Sequence, residues 1–493
     1  MSRINTNVSS MLAQRVMNQQ NTSLNKSLER LSTGLRINRG GDDPAGLIAS
    51  ENLRSEKASL SAAIGNAERA DQVVNVAEGG LQEVNAMLLE VQSLIGESAN
   101  DAGLSTEEKE ANQQQIDAIL QSVDRIASTT SFQGTKLLNG SFDFQVSDVD
   151  AGVTDLQVHG AKLGSNDMDI DVIVNQSAQR GGLQLDFGSG LELASGEDSF
   201  AIELGGADGS RLFEFASGQT TDDMATQINS FTGGTGVSAT ASGDVLNVHA
   251  TEFGSRSFVS ARVVSDGGAG GDISVLSGDT AVSGSTDFDA ATSLIKGDGQ
   301  DVGGFVNGQA ARGDGLNLQI NSDTLNASIT FDEDTAGTLG NVSVGTITGG
   351  GAKFNLGPSI DMNNEVRLGI SNIAARNLGN ASAGYLSEIG SGREANVVDG
   401  DLGKAQDIVN AAIKEVSSLR GRLGSFQSNV VRSTINSLGV TLENVSAAES
   451  AIRDTDFAAE TAEMTRSQIL AAAATQTLGM ANAQPQSVLQ LLG

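Results

Sequence analysis

Residues 53–95 read LRSEKASLSAAIGNAERADQVVNVAEGGLQEVNAMLLEVQSLI, and an apolar side chain recurs in them every seven positions: Leu53, Leu60, Ala67, Val74, Leu81, Leu88 and Ile95. Val84 and Val91 fall three residues after Leu81 and Leu88. A seven-residue repeat with companions three residues on keeps a single stripe along one side of a slightly under-wound helix, the coiled-coil pattern. The pattern returns near the C-terminus as Leu402, Val409, Val416, Leu423 and Val430, accompanied by Leu419 and Phe426. Helices so far apart in sequence bury such stripes against each other or against other copies of the chain. The expected fold class is α+β: a long fold-back coiled-coil helical bundle from both termini with inserted β-rich outer domains.

Outward from the repeat, the spacing predicts a first helix over residues 8–35. Val8, Leu12 and Val16 share one face, and Leu24, Leu28, Leu31 and Leu35 step by four, three and four. Gly34 and Gly40-Gly41 end it, Asp42 and Asp43 suit an N-cap, and Pro44 suits the first turn of the next helix. Ser105 and Glu108 form a capping box for a third helix with Ile116, Ile119, Leu120, Val123 and Ile126 inward. After Gly140 the period becomes two (Phe142, Phe144, Val146), which signals strands. Residues 176–375 are short alternating segments punctuated by Gly, with one short helix near Thr221. Helix resumes from about Asp401 to Ile452. A last helix starts at Phe457, carries Met464, the run Ala471 to Ala474 and Leu478, and is expected to stop at Gln484-Pro485 before an apolar tail of Val488, Leu489, Leu491 and Leu492. The resulting partition is 1–44 with 452–493, then 45–175 with 376–451, then the β-rich acidic insertion 176–375.

Composition excludes several classes of function. The 493 residues carry a net charge of −31 and a pI near 4.3, so neither nucleic acid phosphates nor an anionic membrane surface is a suitable partner. There is no cysteine, which rules out disulfides and thiolate metal sites. With no Trp and a single Tyr385, the core has to be aliphatic. No apolar run is long enough for a bilayer, and the start lacks the basic-then-apolar pattern of a cleaved secretory signal. His159 and His249 sit in strand-like contexts outside any metal-binding pattern and are expected to be ordinary surface or turn residues. No phosphate-binding Gly-rich loop occurs. No catalytic residue, metal site or cofactor is expected.

The end segments closely resemble bacterial flagellin. The N-terminal matches are Ile4-Asn-Thr-Asn7, Leu31-Ser-Thr-Gly-Leu-Arg-Ile-Asn38 and Asp42-Asp-Pro-Ala-Gly46. The C-terminal ones are Ser418-Leu-Arg-Gly-Arg-Leu-Gly424, Asn444-Val-Ser-Ala-Ala-Glu-Ser450, Ile452-Arg-Asp-Thr-Asp-Phe457 and Ala483-Gln-Pro-Gln-Ser-Val-Leu489. In the middle, Thr221-Asp-Asp-Met-Ala-Thr-Gln-Ile-Asn229 with Gly236-Val-Ser-Ala-Thr240, and Val302-Gly-Gly-Phe-Val-Asn-Gly-Gln-Ala310, are similar to insertion motifs of flagellins and hook-associated proteins. The resemblance implies a structural subunit that polymerises with itself into the extracellular filament for swimming, exported uncleaved through the flagellar type III channel. It also implies an export chaperone and hook-associated and cap proteins as partners. Val8, Leu12, Val16, Leu24, Leu28, Leu31, Leu35, Phe457, Met464, Leu478, Val488, Leu489, Leu491 and Leu492 would form the assembly core.

Two other readings compete with the filament subunit: a hook–filament junction protein, and an adhesin whose Arg312-Gly-Asp314 would be an integrin-type tripeptide. Acidic strings such as Asp167-Met-Asp-Ile-Asp171 read as the solvated face of a strand. By the same resemblance, flagellins are detected by an innate immune receptor of animals through the second helix and its neighbour. This chain keeps Leu88 and Leu94 there, but places Glu90 where recognised flagellins carry Arg and Gln115 where they carry Glu.

Overall fold

The computed structural model describes residues 6–100, 103–164, 167–188, 199–278, 280–281 and 284–492, with side chains as far as Gln484. The chain forms two compact units, residues 1–71 with 355–364 and 426–493, and residues 72–354 with 365–425.

The first unit is helical. Helix α1, Val8–Thr33, is capped by Asn7, whose Oδ1 accepts the Ser10 amide at 3.1 Å. It ends at Gly34, whose φ of 75° is the left-handed turn that glycine adopts without strain, and whose amide donates to the Arg30 carbonyl. Helix α2, Pro44–Ser98, opens on the expected proline. Asp43 accepts the Gly46 amide as a cap. Asp42 instead turns back to the Asn38 and Arg39 amides and to Lys26 at 2.8 Å, and the Lys26 bond holds its carboxyl down at about 2.

Helix α3, Thr106–Thr129, begins with the full Ser105–Glu108 box and buries Ile116, Ile119, Leu120 and Val123, while Ile126 stays half-buried. The short helices are α4 (Thr221–Asn229), α5 (Thr232–Thr235) and α6 (Glu333–Gly337). Three long helices close the chain: α7 (Leu402–Ser425), α8 (Arg432–Arg453) and α9 (Phe457–Leu492). In the first unit α8 is tied to α2 by Glu449 with Lys57 and Arg54, and by Arg453 with Glu51.

The heptad stripe is buried as spaced at Leu60, Ala67, Val74, Leu81, Leu88 and Ile95, and at Val409, Val416 and Leu423. Leu53 and Leu402 are only half-buried. Val430 is a correction. Phe426–Val431 is π-helical, and the wider turn inserts a residue into the repeat, so Val431 takes the buried place and Val430 rotates to a half-buried one. The last helix is another correction: it runs through Pro485 to Leu492.

The β part of the second unit holds two modules. One is an eight-stranded antiparallel sheet in the spatial order Phe144–Ser147, Gly340–Gly350, Met168–Gln176, Gly303–Val306, Gln309–Asp314, Asn317–Asn321, Leu325–Phe331, Val153–Ala161. Its core includes Ile170, Val172, Val174, Leu318, Ile329 and Val344, whereas Asp169 and Asp171 alternate outward. The expected start of the β-rich region at 176 is therefore too late. Strands between 144 and 176 pair with strands from 303 to 350, a long-range choice that local alternation does not reveal.

The other module packs α4 with a six-stranded and a four-stranded sheet around Phe187, Phe200, Phe213, Phe215 and Phe288, so the expected aliphatic core is corrected here to one with a phenylalanine cluster. Thr220 and Asp223 cap α4 reciprocally, and Met224 and Ile228 fill the core.

Candidate assembly surface

Helices α1 and α9 of the first unit run in opposite directions against each other. Arg30 meets Glu460 at one end at 3.4 Å, and Asn7 meets Ala481 at the other at 2.7 Å. Between these, Thr475 Oγ1 lies 4.0 Å from Met17 Sδ. At the turn, Arg36 donates its amide to the Arg453 carbonyl at 2.7 Å and its guanidinium to the Ile452 carbonyl, and Thr455 donates to the Gly34 carbonyl.

What the pair buries is small. On α1 only Ala13 and Ser27 are buried; on α9 Ser467, Ala474 and Ala481 are, at a spacing of seven. Short side chains let two helices approach closely. Of the run Ala471 to Ala474, only Ala474 is buried, so close approach is the role of that residue alone.

The large apolar residues point away from this seam. Val8 is 69% exposed and Met480 67%, and Met11, Leu12, Val16, Leu28, Phe457, Ile469 and Leu470 are exposed as well. Leu24, Leu31, Leu35, Met464 and Leu478 are half-buried. The side chains of Val488, Leu489, Leu491 and Leu492 lie outside the described residues. Isolated exposed leucines are ordinary, but a run of them along both faces of one helical pair is not.

The seam is also pinned at a place that the periodicity did not point to. Pro485 has no N–H, so the Ala481 carbonyl lacks the donor a helix supplies four residues on. Asn7 Nδ2 supplies it at 2.7 Å, while Asn7 Oδ1 caps α1 and Ser10 Oγ donates to Asn482 Oδ1. The available signal was a proline inside a helical pattern, four residues after an alanine of the small-residue repeat.

Other candidates resolve differently. Arg312-Gly-Asp314 lies within the Gln309–Asp314 strand, paired with Asn317–Asn321, and Asp314 is held by Arg256. An integrin-type tripeptide needs a free loop tip, so that role is not supported. His159 is not a surface or turn residue: it is on the Val153–Ala161 strand beside Arg422. Glu90 and Gln115 are exposed, whereas Leu88 and Leu94 are buried in the helical core and offer no surface. Among the described residues no group of acidic or histidine side chains is placed to hold a metal ion, and no helix is long and apolar enough to cross a membrane.

Comparison with known proteins decides the family. The bacterial flagellin N-terminal helical region matches residues 4–143, the C-terminal helical region residues 406–492, and the flagellin hook IN motif residues 199–252. Flagellin B of Vibrio cholerae serotype O1 is 30% identical over 490 residues, covering 99% of both chains. The chain belongs to the bacterial flagellin family. Flagellin A of Helicobacter pylori is 28% identical over 525 residues, again covering 99% of both. Among solved structures, FliC of Burkholderia pseudomallei is 16% identical with a TM-score of 0.24, covering 73% of this chain and 98% of that one. FlgL of Xanthomonas campestris is 12% identical with a TM-score of 0.26, covering 79% and 98%. A flagellin is a structural subunit of the extracellular flagellar filament, which assembles by self-polymerisation, and not an enzyme.

Proposed function

We propose that residues 1–44 and 452–493 form the inner core of the filament, that the helices of 45–129 and 402–451 form the bundle around it, and that the two β modules face solvent. The observation that carries this reading is the outward apolar surface of the α1–α9 pair. Covering a Leu or Val of that surface with a neighbouring copy contributes roughly 1.5–3 kcal/mol. Ordering the backbone costs about 1–2 kcal/mol per residue, so these helices gain enough only when neighbours cover them. Contacts between unlike patches, repeated by a rotation that does not close, give an open helical polymer.

The pair is accordingly the assembled conformation. Residues 1–44 and 452–493 are expected to be disordered in the free monomer and helical in the polymer. Circular dichroism during salt-induced polymerisation, with electron microscopy of the product, tests this: helical signal should rise as filaments appear. Unchanged helicity alongside growing filaments would contradict it. Export uncleaved through the flagellar type III channel, with a chaperone masking the same apolar surface, fits a chain whose ends are poorly covered alone. Hook-associated and cap proteins would meet that surface at the filament ends.

Exposed Glu90 and Gln115 support weak or absent activation of the innate immune receptor. A reversed charge and a lost charge at contacts desolvated on binding cost roughly 2 kcal/mol or more each, about thirtyfold in affinity per site. A reporter-cell dose response should show a correspondingly weak response, and full potency would refute the reading.

A further inference from the structure

Within the second unit, α7 carries Glu415 into a polar cavity of about 210 Å³. The cavity is lined by Asp143, just before the Phe144–Ser147 strand, by Asp155 of the Val153–Ala161 strand, and by Gly379 and Tyr385 of the segment preceding α7. Glu415 Oε2 accepts the Gly379 amide at 3.1 Å, Asp155 accepts Gln157 Nε2 at 2.9 Å, and Asp143 accepts the Phe144 amide at 2.9 Å.

The charges in this region do not balance. Arg422, about two turns further along α7, is the cation whose charge acts on Glu415 and Asp143, and its Nη1 lies 3.2 Å from His159 Nε2. A guanidinium only donates, so Nε2 is the acceptor and the imidazole carries its proton on Nδ1. Burial and the Arg422 charge push His159 down to about 3, so it adds no positive charge at neutral pH. Arg422 Nε has no partner, and among the described contacts no ion pair joins Arg422 to the carboxyls. Lys414 and Arg256 line the adjoining cleft, where Arg256 is already paired with Asp314. Three half-buried carboxyls therefore line one cavity, and the Arg422 guanidinium acts on only Glu415 and Asp143.

We propose that Glu415 is a proton-operated clasp: with its proton in place it seats α7 on the edge of the eight-stranded sheet, and on ionisation it turns the cavity into a like-charge cluster and loosens that edge. Burial and the neighbouring Asp155 and Asp143 push the Glu415 carboxyl up to about 7, against the Gly379 amide and Arg422. Burial raises Asp155 and Asp143 too. A folded-state value above the ordinary 4.5 means that the proton's contribution is complete below about 4.5 and is lost as pH climbs through about 7. The clasp lies within a single chain and does not depend on filament assembly.

Amide hydrogen exchange on the full chain, corrected for the intrinsic pH dependence of exchange, tests the clasp. Protection of Val153–Ala161 should fall about tenfold or more between roughly pH 5 and pH 8. Glu415→Gln, which mimics the protonated form, should keep the strand protected at both values. Asp155→Asn should move the midpoint of the change to lower pH. Protection independent of pH in the native chain, or a native slope retained in Glu415→Gln, overturns the proposal. Should Glu415→Gln fail to fold, an unmoved midpoint in Asp155→Asn overturns it as well.

Discussion

Removal of residues 484–493 abolishes filament growth while the remainder of the chain keeps its fold. The deleted piece carries Pro485 and four large apolar residues, Val488, Leu489, Leu491 and Leu492. At roughly 1.5–3 kcal/mol for each side chain covered by a neighbour, their loss removes on the order of 6–12 kcal/mol from every assembled subunit. Each 1.4 kcal/mol is tenfold in an equilibrium constant, so the concentration needed for elongation rises beyond any accessible value. Seeded elongation followed by light scattering should be flat for the truncated chain. Its thermal melt should retain the transition of residues 45–451. Normal filaments from the truncated chain would remove the termini from the assembly contact.

The second large effect separates two adjacent valines. Val431→Asp is expected to destabilise the helical first unit by about 3 kcal/mol or more, because a carboxylate placed at a fully buried position is either charged without a partner or protonated at a cost. Val430→Asp should cost less than about 1 kcal/mol, since that side chain is half in solvent. Urea unfolding followed by circular dichroism gives both numbers. The reverse order would mean that the seven-residue repeat continues unbroken through Phe426–Val431 and that the wide turn is absent.

The same pair shows where the sequence stops being readable. Signals that act within a few residues were legible: the Ser105–Glu108 box, Pro44 at the start of α2, the outward Asp169 and Asp171, and the stripe from Leu60 to Ile95. Each depends on geometry that a short segment imposes on itself. The insertion at Phe426–Val431 does not, because a π turn survives only where surrounding contacts offset its poorer hydrogen bonds. Sheet partnership was hidden for the same reason: nothing in Val153–Ala161 says that it pairs with Leu325–Phe331 rather than with a nearer strand.

The assembly surface was legible in half. Hydrophobic spacing identified Val8, Leu12, Val16 and Leu28 as residues needing a partner, and they are exposed in the single chain. It was silent about the seam, because Ala13, Ser27, Ser467, Ala474 and Ala481 carry no hydrophobic signal of that size. Glu415 was hidden differently. It stands next to Val416 of the heptad, and nothing local shows that a strand carrying Asp155 comes to face it.

The bond from Asn7 to the Ala481 carbonyl spans 474 positions of sequence. A ribosome makes its first partner near the beginning of its work and its second near the finish. A polypeptide that stops short of residue 481 has the Asn7 donor and never the acceptor. That join can therefore close only in a molecule that carries both ends.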